Sequence, residues 1–436
     1  VCGTAHADET IDAWARWALA PKVWKGQTVL APDPEPRPEA LTVRLDAVAL
    51  PVHLHQPVAG SHRGTVRALH RLRALETAYS TWLALGWPAL PFDGGQGGDI
   101  GFDMYVVPHE RCADACSSAD GPEPLRDFDA AQTYGLLADD LPDSALEACT
   151  LRALAAAALH AQDPAEAESW VRASAELLTW QYGPAACERD HASDAQATPE
   201  LGMLNADTAS ASAGVLWLAM ESERLGSEPA TLLRNLWEST RQRSKGLVPP
   251  DRLRGSPDLW EVLRQMLLAQ HRQLDDELVE FGVARYFTGP GARREQSPYR
   301  SFAALPSDAA VPISHELSSP QLPRHIRDAP ALHELGSAYV RVQLTGTQQR
   351  EQLKLWLRGE LGPRWSLTAV RLDAAGREAG RVSAPARSIP SSYLPVALSA
   401  ETTAVLVVIT LLPAEIPDAD VRDDTRHAYE LIVAAE

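Results

Sequence analysis

Few residues in this chain have types and spacings suited to chemistry. His160 closes a run of alanine and leucine, and Glu176 follows on the next helical pattern. A histidine and a carboxylate on consecutive helices are zinc-type donors, but a catalytic zinc needs about three protein ligands and an open position for water. His53 and His55 are two apart, so on a strand they share a face and form a second, weaker donor pair. Asp93, Asp99 and Asp103 stand in and beside the stretch DGGQGGD. They offer the hard oxygens that calcium takes, although the spacing is not that of an EF-hand and a glycine-rich turn explains the stretch without a metal. It also lacks the Gly-Lys-Ser/Thr of a phosphate-binding loop. The chain has no G-x-S-x-G elbow and no C-x-x-C pair, since Cys112 and Cys116 are four apart.

His160 and Glu176 must be positioned by the stretch Leu151 to Trp180, which reads as two helices. Ser144 and Glu147 form a capping-box pattern, and Ala, Leu and Cys on nearly every face predict a helix buried all round. Asp163-Pro164-Ala165-Glu166 reads as an N-cap, a first-position proline and an acidic first turn for the second helix, which Gly183-Pro184 ends.

This layout resembles the centre of zinc metallopeptidases of the gluzincin type, in which a buried helix carries H-E-x-x-H and the next helix supplies a glutamate ligand. With His160 as the second histidine, the motif falls on Ala156-Ala157-Ala158-Leu159-His160, so the first histidine and the catalytic glutamate are both alanine. The W-x-x-E pattern of the next helix places Trp170 before Ala173, and the third ligand is alanine too. Five further stretches are similar to secreted and lipoprotein metalloprotease-like proteins of myxobacteria, several of which have lost their zinc motif. They are DGGQGGDIGFDMYVV (Asp93 to Val107), NADTASASAGVLWLAMESERLG (Asn205 to Gly226), SPDLWEVL (Ser256 to Leu263), EFGVARYFTG (Glu280 to Gly289) and HELGSAYVRV (His333 to Val342). All five concern packing rather than chemistry. The resemblance implies an α+β protein: a zincin-like, mainly helical metallopeptidase-like domain over residues 41–330, then an all-β sandwich over 337–436. Residues 1–40 precede them as an amphipathic helix and a Pro-rich arm.

The 436 residues, 45% hydrophobic and 22% charged, suffice for two or three cores. A net charge of −18 argues against nucleic acid or an anionic membrane as partner. No run of about twenty apolar residues exists to span a bilayer. The longest apolar run, Ala404 to Leu412, reads as a buried strand. The spacing of Arg67, His70, Arg71 and Arg73 fits the solvated face of a helix. Five cysteines suggest two disulfides, Cys112 with Cys116 and Cys149 with Cys187. Cys2 is the remainder, fitting either a lipid anchor or an intermolecular thiol.

Tryptophans 14, 17 and 24 mark the first helix, and APDPEPRPEA (Ala31 to Ala40) reads as an extended arm. A hundred helical residues follow the central pair, with Trp217, Trp237 and Trp260 as core. Residues 290–330 look irregular. From Ser337 the period becomes two, and seven short strands predict the sandwich. Its loop with Asp418, Asp420, Asp423 and Asp424 reads as a solvated charge run, with calcium as the alternative.

The functional expectation is an exported, catalytically inactive metallopeptidase-like protein that binds protein or polysaccharide at the cell envelope. It would be extracellular, periplasmic or held at the outer membrane, with no cofactor. The alternative is an active zinc metallohydrolase whose ligands are relocated, with His160 and Glu176 joined by His53, His55 or His191.

Overall fold

The computed structural model describes residues 28–30, 35–38, 42–57, 62–90, 95–112, 115–123, 126–184, 187, 191–203, 208–242, 252–288, 299–303, 305, 309–345, 351–387, 391–415 and 425–436. Cys2, the expected first helix, Asp93, the side chain of His191 and the loop Asp418 to Asp424 lie outside them. The chain divides into two compact units, one holding Leu19–Asp190 with Leu225–Gln265, the other His191–Arg224 with Met266–Glu436.

The first unit is built on a mixed five-stranded sheet. The alternating stretch after Leu41 folds as a hairpin of β2 (Thr42–Asp46) and β3 (Val52–Pro57), preceded by the short β1 (Thr28–Leu30). Helix α1 (His62–Ala84) leads to β4 (Phe102–Val107), parallel to β3. Next come β5 (Ala115–Glu123) and β6 (Ala130–Ala138), with β6 parallel to β4 and β5 antiparallel beyond it. The strand order is β2-β3-β4-β6-β5. Alternation divides the side chains between two faces. Leu54, Met104 and Thr133 take the helix-covered face, where Thr133 Oγ1 donates to the Ala157 carbonyl at 2.9 Å. His53, His55, Asp103, Tyr105 and Tyr134 take the other. Arg71, expected on the solvated side of α1, is buried and donates to the carbonyl of Asp139 at 2.5 Å.

The central pair is α2 (Leu146–Gln162) and α3 (Glu168–Tyr182). Burial of α2 on nearly every side is as its composition predicts, but its cap differs: Ala145 is the N-cap, without a side-chain hydrogen bond. The start of α3 differs too. Residues 163–167 form a turn in which Asp163 accepts from the Ala165 amide at 3.2 Å. Glu166 reaches away to accept from the Leu259 amide at 2.9 Å, supplying a carboxylate to another helix start. Disulfides join Cys112 to Cys116 and Cys149 to Cys187.

The following helices α4 (His191–Ala197) and α5 (Thr208–Arg224) belong to the second unit. In the first unit α6 (Pro229–Thr240) starts with a proline and packs on α3, where Trp237 Nε1 donates to Ser174 Oγ at 3.1 Å. Strand β7 (Arg252–Arg254) pairs with β1, and α7 (Leu259–Ala269) follows a capping box made by Asp258 and Glu261. Trp217, Trp237 and Trp260 are all buried.

The second unit adds α8 (Leu274–Ala284) and the single turn α9 (Arg300–Ala303). Leu278, Phe281, Ala284, Arg285 and Phe287 are buried. The region read as irregular also contributes two strands, β8 (His315–Ser318) and β9 (Arg324–Ile326). Seven more follow where alternation places them: β10 (Ser337–Gln343), β11 (Gln352–Gly359), β12 (Arg364–Leu372), β13 (Glu378–Arg387), β14 (Ser391–Ala397), β15 (Ala404–Leu412) and β16 (Tyr429–Ala435). They form a five-stranded sheet, β13-β12-β15-β10-β8, and a four-stranded one, β14-β11-β16-β9. Leu353, Leu355 and Leu357 of the second interleave with Val405, Val407 and Ile409 of the first in one core. The apolar run Ala404 to Leu412 is the central, wholly buried strand. The chain is thus α+β, with its helices and a mixed sheet preceding a sandwich.

Candidate functional site

Two polar clusters in the first unit hold most of the residues singled out above, and they lie on opposite faces of its sheet. The first is on the helix side. Residues four apart share a helix face, so Arg152, Ala156 and His160 form one row along α2. Apart from the exposed Glu147 in its first turn, Arg152 and His160 are the only residues of α2 that are not buried. The row runs along β5: Arg152 Nη2 donates to the Ala115 carbonyl at 3.2 Å, and His160 Nδ1 lies 3.4 Å from Ser117 Oγ. His160 Nε2 faces Glu168 Oε2 at 3.3 Å, and the other Glu168 oxygen accepts from Arg172 at 2.9 Å.

Both nitrogens of His160 therefore have partners, and its carboxylate neighbour is Glu168 rather than Glu176. Glu176 is half-buried on the same helix, eight residues or about 12 Å further along the axis. The reason is the start of α3. Because that helix begins at Glu168, this residue lies in its first turn, beside the end of α2. The sequence carried the signal only as a glutamate eight residues after the histidine.

The second cluster is on the sheet face away from α2. His53 Nδ1 lies 2.9 Å from Asp46 Oδ1, and its Nε2 lies 2.6 Å from Asp99 Oδ1. The Arg44 guanidinium bonds both of these carboxylates. The Gly101 amide and Arg44 together hold the Asp99 carboxyl down at about 2. His55 Nε2 meets Asp103 Oδ1 at 2.8 Å and its ring stacks on Tyr105 at 4.4 Å. Asp103 also pairs with the buried Arg37.

Arg37 is the residue sequence reasoning missed, since nothing in a Pro-rich stretch marks one arginine for burial. Residues 35–38 lie across β5 and Tyr134. The Glu35 amide donates to the Ala119 carbonyl at 3.0 Å, Ser118 Oγ donates to Glu35 at 2.8 Å, and the Arg37 guanidinium sits 5.4 Å over the Tyr134 ring. The described part of the arm thus holds to the sheet through charge and backbone contacts.

Asp99 and Asp103, candidates for calcium, each face an arginine, so chain cations stand beside the oxygens a metal would take. His53 and His55 point away from His160 and Glu168, so the sheet separates the donors that a relocated zinc site would gather. Among the described residues, no group of three or more His, Cys, Asp and Glu side chains is placed to hold a metal ion.

No family model matches the chain, and no curated protein does. Among solved structures, the pre-peptidase C-terminal domain of collagenase from Bacillus anthracis is similar over 28% of this chain and 96% of that one, at 11% identity and a TM-score of 0.19. The enzymatically active domain of tailspike protein 4 of bacteriophage CBA120 is similar over 26% of this chain and 17% of that one, at 8% identity and a TM-score of 0.19. An insecticidal delta-endotoxin of Bacillus thuringiensis is similar over 26% and 19%, at 9% identity and a TM-score of 0.15.

Proposed function

We propose that this protein is an exported, metallopeptidase-like scaffold that has lost hydrolytic chemistry and acts by binding at the cell envelope. The row Arg152, Ala156, His160 carries the reading. Past the first turn it is the least buried row of α2, and so the row from which ligands would project, yet it holds one histidine where H-E-x-x-H would hold two. Ala157 stands in the position of the glutamate that would polarise a zinc-bound water. Were a zinc ion to bind, His160 would be its one donor on α2, and Glu168 the nearest carboxylate. That is short of the three ligands a catalytic zinc takes.

Export is supported by the two disulfides, which persist in oxidising compartments. Among the described residues, no helix is long and apolar enough to cross a membrane.

Metal content and hydrolysis together test the reading. The full chain, purified without chelator, is expected to carry the same low zinc as its His160→Ala variant by inductively coupled plasma mass spectrometry, and to leave casein uncut with zinc supplied. Stoichiometric zinc that disappears in the variant, with casein cleavage, would overturn it.

A further inference from the structure

The strand sequence QLKLWLRG alternates as a half-buried strand should, with Leu353, Leu355 and Leu357 in the core and Lys354, Trp356 and Arg358 outside. A tryptophan on the outward side runs against that pattern. It does not stand alone. Register places Tyr393, Trp356, Ile432 and His325 in one row crossing all four strands of the smaller sheet. Trp356 is 38% exposed and Tyr393 48%, with ring centroids 5.2 Å apart and planes tilted by 37°. The neighbouring row carries Ser391, Arg358 and Glu430, and Arg327 extends it. Together they line a groove of about 590 Å³, within the size range of small-molecule sites.

The charges are the second observation. Glu430 is engaged by His325 at 3.3 Å and by Arg327 at 3.6 Å. Arg358 is exposed, and no described residue accepts a hydrogen bond from its guanidinium. Two arginines against one glutamate leave this groove with a positive excess in a chain of net charge −18. Such a local reversal favours an anionic ligand.

We propose that this face binds an acidic oligosaccharide, one whose sugar units carry carboxylates. The electron-rich faces of Trp356 and Tyr393 suit the slightly positive C–H faces of pyranose rings. The Arg358 fork suits a carboxylate. An extended peptide fits less well, because a strand is recognised along a free sheet edge and these residues lie on a face whose backbone groups already pair within the sheet. The site lies within the sandwich and is independent of the reading given for the first unit.

Isothermal titration calorimetry on the full chain tests this with three probes: a galacturonate hexamer, neutral cellohexaose and a hexaglutamate peptide. The galacturonate hexamer is expected to bind, more weakly in about 0.5 M NaCl, and cellohexaose and hexaglutamate at least about tenfold more weakly still. Trp356→Ala and Arg358→Gln are each expected to lower its affinity about tenfold or more, the loss of one stacked ring or one charge-assisted hydrogen bond. Both positions are exposed, and an unchanged melting temperature shows that the variants fold. Equal binding of cellohexaose would overturn the acidic ligand, and equal binding of hexaglutamate would overturn the sugar. Binding untouched by both substitutions, or no binding by any probe, would overturn the site.

Discussion

His160 Nε2 lies 3.3 Å from Glu168 Oε2, across the joint between the two central helices. The pair is partly exposed, with the histidine side chain 17% and the glutamate 40% accessible, so solvent screens it and its contribution falls at about 1 kcal/mol or below. Glu168→Gln and His160→Ala are therefore each expected to shift the urea-unfolding free energy by no more than about 1 kcal/mol. A much larger loss in either variant would mean that the pair is a structural keystone, or that it holds an ion which the substitution releases.

Arg37 and Asp103 are the opposite case. Their side chains are only 2% and 1% accessible, and Asp103 also accepts from His55. Removing the cation leaves a buried carboxylate uncompensated, which costs about 3–5 kcal/mol. Arg37→Met is expected to lose stability on that scale in urea unfolding, and Asp103→Asn in the same chain is expected to restore most of it. If the double variant is as unstable as the single one, packing of the Pro-rich segment rather than charge explains the loss.

These two pairs show how far the residues alone could lead. The seven strands from Ser337 were legible because a sandwich with one face buried enforces a period of two. The buried helix over Leu146–Gln162 was legible because alanine and leucine cover nearly every side of it. What escaped was decided by tertiary geometry. Arg37 is buried because Asp103, 66 positions away, lies beneath it. Glu168 rather than Glu176 meets His160 because Glu166 turns to the Leu259 amide and the helix starts late. Arg71 sits on a stripe that reads as solvated, yet its guanidinium reaches the carbonyl of Asp139.

The two disulfides differ in what they restrain. Cys149–Cys187 closes a loop with a sequence separation of 38, and chain entropy assigns it about 4 kcal/mol. Cys112–Cys116, with a separation of 4, is assigned about half as much. Replacing Cys149 and Cys187 by alanine should lower the melting temperature more than replacing Cys112 and Cys116. The reverse order would show that the small ring holds β5 in place by more than loop closure.

A buried carboxyl in the second unit makes stability depend on pH. Glu221 on α5 is fully buried, and that burial pushes its carboxyl from the ordinary 4.5 up to about 8, only partly offset by Arg272 at 3.3 Å. A raised folded-state value means that the folded protein holds the proton more tightly than the unfolded chain. The stabilisation is full below pH 4.5 and is lost as the pH rises through about 8, on the order of a few kcal/mol at about 1.4 kcal/mol per pKa unit. Asp99, held at about 2 instead of 3.8, acts the other way and only in acid, losing its contribution as the pH falls through that interval, so the two windows do not overlap. Glu221→Gln, which keeps the shape of the protonated form, should therefore flatten the fall in unfolding free energy between pH 5 and 8. Urea titrations of both proteins at those two pH values measure the slopes, and equal slopes would remove Glu221 as its source.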